Sequence, residues 1–429
     1  MPGIAIWTRL TQAGAVGSRM KSRHTPATSA PVLQMAPAVE STAWARPWVQ
    51  LKYITFHPCI YPAMIKAASP DARPGALVHV YDKQGRPFGA GWYHPKARVP
   101  LRMIYHGAET ITEAYADTLF ERALDLRLRR LNLPAHTDAF RVVHSDGDGL
   151  GGLVVDKLGD VLSVELHSLA AHQRLEHWLP RLHQVLDTRR VVVSVEPQIA
   201  KVEGIPLPPG EPAVRSVRVR EHDLKYEINF ATGHKTGFFC DQRDNRQRLR
   251  AWANGARVLD LCCYTGGFAL NAAAHGAAEV TGVDLDEEAI AQARRNAHLN
   301  QLRVQWVHCD AFAYARQMQQ NGQLWDVVIL DPPKLIPSRE EAAQGRRKYE
   351  DLNSLAATLL KPGGLLVTCS CSGLLAAEDF EFLVCRGIHR RHRRLQILER
   401  TGAAPDHPVM SSAPEGRYLK VLWGRVWPA

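Results

Sequence analysis

Five short apolar runs between residues 257 and 373 each stop at residues able to bind or react, and this recurrence constrains the fold more than any other feature of the chain. Val258–Leu261 reads as a buried strand. It passes through Cys262, Cys263, Tyr264 and Thr265 into the pair Gly266-Gly267, after which Phe268–His275 reads as a helix. A strand, a glycine turn and a helix form the ligand crevice of an open α/β sheet. Glycine lets the backbone approach a ligand, and a helix start offers free N–H groups to an anion. Val280–Asp284 is a second strand ending in an acid. Val307 and His308 belong to a third, with Asp310 just past its end. Trp325–Leu330 is a fourth, running into Asp331-Pro332-Pro333-Lys334, and Gly363–Thr368 a fifth, running into Cys369-Ser370-Cys371-Ser372-Gly373. No G-x-G-x-x-G stands at this turn, which argues against a dinucleotide pyrophosphate there. The acid ending the second strand can instead accept hydrogen bonds from both hydroxyls of a ribose. An acid after a strand is also a common helix cap; four strand-end signals in order outweigh that reading.

A chain of 429 residues implies two or three domains, and 45% apolar residues suffice for sizeable cores. The net charge of +10 favours a polyanionic partner. No apolar run approaches the ~20 residues of a membrane helix. The eight cysteines show neither C-x-x-C pairs nor Cys/His zinc spacing, so no metal site is expected and free thiols in a reducing compartment are.

Residues 1–47 are rich in Ala, Ser, Thr and Pro, and Arg9, Arg19, Lys21 and Arg23 precede the first acid, Glu40. They read as a disordered extension or a targeting segment; the first implies a cytoplasmic protein, a transit peptide a mitochondrial or plastid one. A small β-rich module occupies residues 48–112, with a hairpin of Ala76–Tyr81 and Phe88–Tyr93 across the turn Asp82–Gly85. Lys83, Arg86, Lys96, Arg98 and Arg102 interleave there with Trp92 and Tyr93, a pattern that suits RNA or merely a charged hairpin surface. Residues 113–225 comprise a linking helix, Thr112–Leu131, and a central α+β unit with the pattern strand-strand-helix-strand-strand, its helix at Leu169–Leu186. Residues 226–429 form the last domain. Just before its first sheet strand, residues 231–246 are dense in glycine and polar side chains, as functional loops are. There Phe238 or Phe239 can pack on an adenine ring and Asp241 can meet a cationic amino group; the plainer alternative is a helix start capped by Asp241, with Arg243 and Arg246 in solvent.

The strand order resembles that of class I S-adenosylmethionine (SAM) methyltransferases. His234–Arg243, Tyr264–Phe268, Asp331–Lys334, Ser370–Gly373, Asp406–Val409 and Pro414–Lys420, in that order, resemble the RlmI family, bacterial large-subunit rRNA (cytosine-5)-methyltransferases. The likeness covers about residues 56 to 426. It implies an N-terminal PUA-like RNA-binding domain, a central α+β domain and a C-terminal Rossmann-like methyltransferase domain. It also implies SAM as cofactor and a cytosine of 23S-type rRNA as substrate, and leaves a homodimer open. Carried onto this chain, the cofactor pocket comprises Thr236, Phe239, Asp241, Arg243, Tyr264, Thr265, Gly266, Gly267, Asp284, Asp310 and Asp331. The chain departs from the family at His57-Pro58-Cys59, where relatives commonly carry a tryptophan in place of Cys59.

Cytosine C5 is a poor nucleophile until a thiolate adds to C6. Cys371 matches the family nucleophile. Cys369, two residues earlier and so on the same side of a continued strand, competes with it. Asp331 can bond cytosine N3 or its amine. Lys334 stands where amine methyltransferases carry a stacking aromatic, which argues against amine methylation, and Asp331, Lys334 and Cys371 are the expected catalytic set. Arg386–Arg394 holds five arginines and two histidines, read as a solvated helix face or as phosphate contacts. The rival functions are methylation of another RNA base position, a non-catalytic RNA-binding assembly factor, and a small-molecule methyltransferase.

Overall fold

A computed structural model describes residues 44–208, 214–230 and 237–429. The expectation for residues 1–47 falls almost wholly outside them, as does the one for Thr236. No described helix is long and apolar enough to cross a membrane.

The N-terminal sheet has six strands in the spatial order Cys59–Ile60, Leu101–His106, Pro87–Tyr93, Ala76–Tyr81, Trp48–Leu51, Ile65–Ala68. The expected hairpin is present, and Asp82 opens its turn because its Oδ1 accepts hydrogen bonds from Gln84 N and Arg86 N, both at 2.9 Å. Inward residues Val49, Leu51, Val78, Val80, Leu101 and Met103 form its core. His57 Nε2 lies 2.6 Å from Glu415 Oε1, which ties this sheet to the C-terminal stretch 414–420.

The expected linking helix runs from Tyr115 to Leu124 and continues as a wider-wound turn, Asp125–Arg130. That turn places Arg127 in the interior, fully buried, where it forms a bidentate pair with Asp148 at 2.6 and 2.8 Å. The central unit gains two strands over the expected pattern. Leu153–Leu158 joins a four-stranded sheet in the order Arg190–Ser194, Val161–Leu166, Leu153–Leu158, Ala139–His144. Ser216–Glu221 pairs with Leu224–Asn229 as a separate hairpin. Leu153–Leu158 escapes the alternation test because Asp156 is buried on it, paired with Arg141.

The C-terminal sheet has seven strands in the order Gln305–His308, Glu279–Asp284, Arg257–Leu261, Trp325–Leu330, Leu360–Ser370, Lys420–Pro428, Arg393–Thr401. The first five are parallel, and Lys420–Pro428 runs antiparallel to its neighbours. Strand order reverses between Arg257–Leu261 and Trp325–Leu330, which is where an open α/β sheet opens its ligand crevice. The expected α/β architecture, Rossmann-like at its C-terminal end, is therefore present.

Asp406 locks this sheet to the central unit. Its Oδ2 accepts hydrogen bonds from Arg141 N at 3.0 Å and Arg243 at 2.9 Å, its Oδ1 accepts another from Arg243 at 3.1 Å, and its backbone oxygen takes Arg127 at 2.6 Å. Burial alone would raise the Asp406 carboxyl, but His407 and Arg243 hold it well below the usual carboxylate range. A depressed carboxyl stabilises the fold above its unfolded value of about 4 and loses that contribution as pH falls towards its folded value. Asp406→Ala is expected to cost about 3–5 kcal/mol, since it strips both terminal nitrogens of buried Arg243 of their acceptors and leaves only the Nε contact with Asp244. Denaturant midpoints at pH 7 measure this, and the gap between wild type and variant is expected to shrink below pH 4.

Candidate active site

The turn after Arg257–Leu261 bends sharply. Cys262, Tyr264 and Gly266 have φ of +64°, +50° and +89°, so the chain reverses within five residues. Gly266 is required: a Cβ there would stand 2.6 Å from the Trp306 ring in addition to the strained φ. The turn rests on Asp284, whose Oδ2 accepts a hydrogen bond from Tyr264 N at 2.8 Å while Oδ1 accepts one from Asp286 N at 2.9 Å. Beside it, half-exposed Phe239 packs on Tyr264 with ring centroids 5.2 Å apart, whereas Phe238 is buried against Tyr226 and under Arg246. Phe239, not Phe238, is thus the ring available to a ligand. Asp241 Oδ2 accepts a hydrogen bond from Tyr418 at 2.6 Å, and its Oδ1 is buried with no hydrogen-bond partner among the described residues. A buried, unsatisfied carboxylate oxygen close to Asp331 fits the ammonium of a SAM methionine group, and Asp284 fits its ribose.

The thiol loop is fixed from three sides. Ser370 and Ser372 are fully buried and both bond Tyr349 Oη, at 3.0 and 2.9 Å. Ser372 Oγ also accepts a hydrogen bond from Ile336 N at 3.2 Å, which joins this loop to the one after Asp331. Lys420 Nζ donates to the backbone oxygens of Ser372 at 2.6 Å and Tyr418 at 2.8 Å. Cys371, between the two anchored serines, is half-buried, while Cys369 is fully buried and burial pushes its thiol far up. Burial brings Lys420 down to about 8, and a thiolate on Cys371 opposes that fall, so cation and thiolate favour one another.

Asp331 ends the strand Trp325–Leu330 and accepts a hydrogen bond from Gln242 Nε2 at 3.0 Å. Burial and the nearby Asp241 charge raise its carboxyl to about 7. A carboxyl poised there can give or take a proton near neutrality.

Residues 205–422 match the family model of S-adenosylmethionine-dependent methyltransferases, and residues 49–105 that of a PUA-like domain. The ribosomal RNA large subunit methyltransferase I of Erwinia tasmaniensis is 33% identical over 378 residues, 86% of this chain and 95% of its own. The chain belongs to the ribosomal RNA large subunit methyltransferase I family. The family member from Photobacterium profundum is 35% identical over 357 residues, 81% of this chain and 89% of its own. Among solved structures, SMU.776 complexed with SAH superposes with a TM-score of 0.71 at 23% identity, covering 82% of this chain and 92% of that one. A SAM-dependent methyltransferase from Streptococcus mutans gives 0.69 at 23% identity, with the same coverage. These two show the fold. SAM is the cofactor of the family's methyltransferase domain.

In this member of the RlmI-like family the sequence-predicted residues divide. Tyr264, Thr265, Gly266, Gly267, Asp284, Phe239, Asp241 and Asp331 gather at the carboxyl ends of the strands or on the loop beside them. Asp310 is exposed just past the third strand and caps the helix Ala311–Gln320, its Oδ1 accepting a hydrogen bond from Ala313 N at 2.9 Å. Arg243 departs from expectation: its guanidinium is buried on Asp406 and Asp244, so it positions the loop and is not open to a cofactor. Nor is Arg246 solvated, being buried in a bidentate pair with Glu221 at 2.7 and 2.6 Å. Lys334 is exposed on the loop after Asp331. In the basic stretch, Arg386 and Arg390 pair with Glu350, Arg391 bonds Ser354, and Arg393 bonds the Leu360 oxygen. Three of these arginines bind the end of the helix Ala377–His389 to the helix Ala342–Thr358 and Arg393 ties strand to strand, which counts against the phosphate reading.

Sequence reasoning passed over Asp260, Gln242 and Lys420. Asp260 is fully buried, accepts a hydrogen bond from Ala269 N at 3.0 Å, and is raised to about 8 by burial and by the charges of Asp331 and Asp284. Its place as the last acid inside the first strand was the available signal.

Proposed function

We propose that this enzyme forms 5-methylcytosine in large-subunit rRNA through a covalent adduct between Cys371 and cytosine C6. The observation that carries the reading is the pinned loop that presents a half-buried Cys371 between Lys420 and the Asp331 loop. The relatives' names supply the substrate class, and the net charge of +10 accords with a polyanion.

The Cys371 thiolate, favoured by Lys420, adds to C6 as Asp331 protonates N3, and the ring becomes electron-rich at C5. SAM, which Asp284, Asp241, Phe239 and the 264–267 turn would hold, would supply the electrophilic methyl group to C5 and leave as S-adenosylhomocysteine. N3 returns its proton to Asp331, a water of the solvent takes the C5 proton, and the C5–H pair re-forms C5=C6 as the C6–S bond breaks and the Cys371 thiolate leaves. The loop anchors through Tyr349, Ile336 and Lys420 hold the sulfur in place, as near-attack geometry demands. Exposed Lys334 suits a phosphate of the substrate strand better than proton transfer.

Mapping methylated cytosines in rRNA from cells with and without the gene tests the reading. One 5-methylcytosine of the large-subunit rRNA is expected to vanish without the gene. A lost methyl group on a base amine, or an unchanged rRNA, would contradict it.

A further inference from the structure

Behind Asp331 runs a chain of polar side chains that the reaction as written does not use. Trp423 Nε1 can only donate, and it does so to Thr401 Oγ1 at 3.0 Å. Thr401 in turn donates its hydroxyl hydrogen to Asn245 Oδ1 at 2.7 Å. Asn245 Nδ2 donates to the Gly402 carbonyl oxygen at 3.0 Å, which can only accept. The Gly402 carbonyl, with no choice of role, therefore sets the Asn245 amide, and the Thr401 hydroxyl meets its Oδ1 as a donor. The same Nδ2 donates to Gln242 Oε1 at 2.7 Å, which leaves Gln242 Nε2 facing Asp331 Oδ2 at 3.0 Å. Gln242 and Asn245 are 4% and 1% exposed, so solvent does not rescue a reversed amide.

We infer that Gln242, held by Asn245, is a positioning residue that decides which oxygen of Asp331 carries the acid proton. Because Oδ2 meets an N–H, it remains an acceptor, and the proton sits on Oδ1. The inference rests on the cytosine-C5 reading and deepens it. As the S–C6 bond forms, the C5=C6 pair becomes a C4=C5 bond and the C4=N3 pair passes to N3. N3 takes the proton from Oδ1, and the resulting Asp331 carboxylate keeps its Oδ2 contact with Gln242. The amide thus serves both protonation states without turning.

The other groups facing Asp331 are Asp241, which disfavours the carboxylate, Arg246 and the thiol of Cys369, which favour it, and Asp260 and Cys262 at the end of the first strand. The Gln242 N–H favours the carboxylate, so its removal raises the Asp331 carboxyl.

The test is the pH profile of kcat for wild type, Gln242→Leu and Gln242→Glu on rRNA substrate, with SAM affinity as the check that each variant folds. Gln242→Leu is expected to lose about tenfold in kcat at pH 7 with little change in SAM affinity, and to move the alkaline limb up by about one pH unit. If Gln242→Leu does not bind SAM, the near-isosteric Gln242→Glu is read for the same upward move, since a second acid then shares the proton. An alkaline limb unmoved in the readable variant, with kcat at the wild-type level, overturns the inference. Product analysis keeps the two claims apart. A wild-type product lacking 5-methylcytosine sinks the functional reading, whereas a 5-methylcytosine product with an unmoved limb sinks only the role of Gln242.

Discussion

Cys371→Ala is expected to lower methyl transfer to rRNA by on the order of 10³-fold or more while SAM affinity stays within about twofold. The first effect follows because alanine has no group to add to C6, and without that addition C5 stays inert. The second follows because the residues proposed to hold SAM lie on the 264–267 turn, at Asp284, and on the 239–241 loop. Cys371 belongs to a different loop, anchored through Ser370, Ser372 and Tyr349. Cys369→Ala separates the two thiols. Cys369 is fully buried and its thiol is pushed far up, so this variant is expected to keep most of the activity. Radiolabelled methyl incorporation and calorimetric titration of SAM read both quantities. Normal turnover by Cys371→Ala would remove that sulfur from the mechanism.

Asp331→Asn is expected to cost about 10²–10⁴-fold in kcat, the range of a lost general acid. Asparagine keeps the size and still offers hydrogen bonds, but it has no proton to give N3. The pH profile carries the sign. Asp331 is raised to about 7, so wild-type kcat is expected to fall above that pH as the acid ionises, and the residual activity of the variant lacks this limb. Stability moves the opposite way from Asp406. A folded carboxyl raised above its unfolded value of about 4 binds its proton more tightly when native. The contribution of Asp331 to wild-type stability therefore declines from pH 4 to 7, and Asp331→Asn is expected to melt closer to, or above, wild type at pH 8 than at pH 5. Melting curves at the two pH values measure this.

Much of the catalytic domain was legible because its signals are local. A glycine pair after an apolar run and acids after the next strands lie within a few residues of the structure they create, as Gly266, Asp284 and Asp331 illustrate. The helix Leu169–Leu186 was readable for the same reason, since its apolar period and its Ser168 cap lie side by side. Illegible features depend on partners far away in sequence. Arg243 has the composition of a ligand-binding loop residue, yet its partner Asp406 is 163 residues on. Arg386 and Arg390 look like a free basic face until Glu350 closes on them. Gln242 acquires its role from Asn245, Thr401 and Trp423, a chain no spacing rule detects. Asp310 shows the limit of a strand-end acid as a signal, because capping and ligand binding use the same residue at the same place.

Trapping on an RNA fragment carrying 5-fluorocytosine at the target position tests the central claim most directly, because fluorine at C5 cannot leave as a proton does and the adduct persists. With SAM present, wild type and Cys369→Ala are expected to form a complex that survives denaturation, with the RNA attached to the peptide containing Cys371, and Cys371→Ala is expected to form none. An adduct that forms in Cys371→Ala, or wild-type turnover to 5-methylcytosine on ordinary RNA with no adduct on the fluorinated one, would contradict the account.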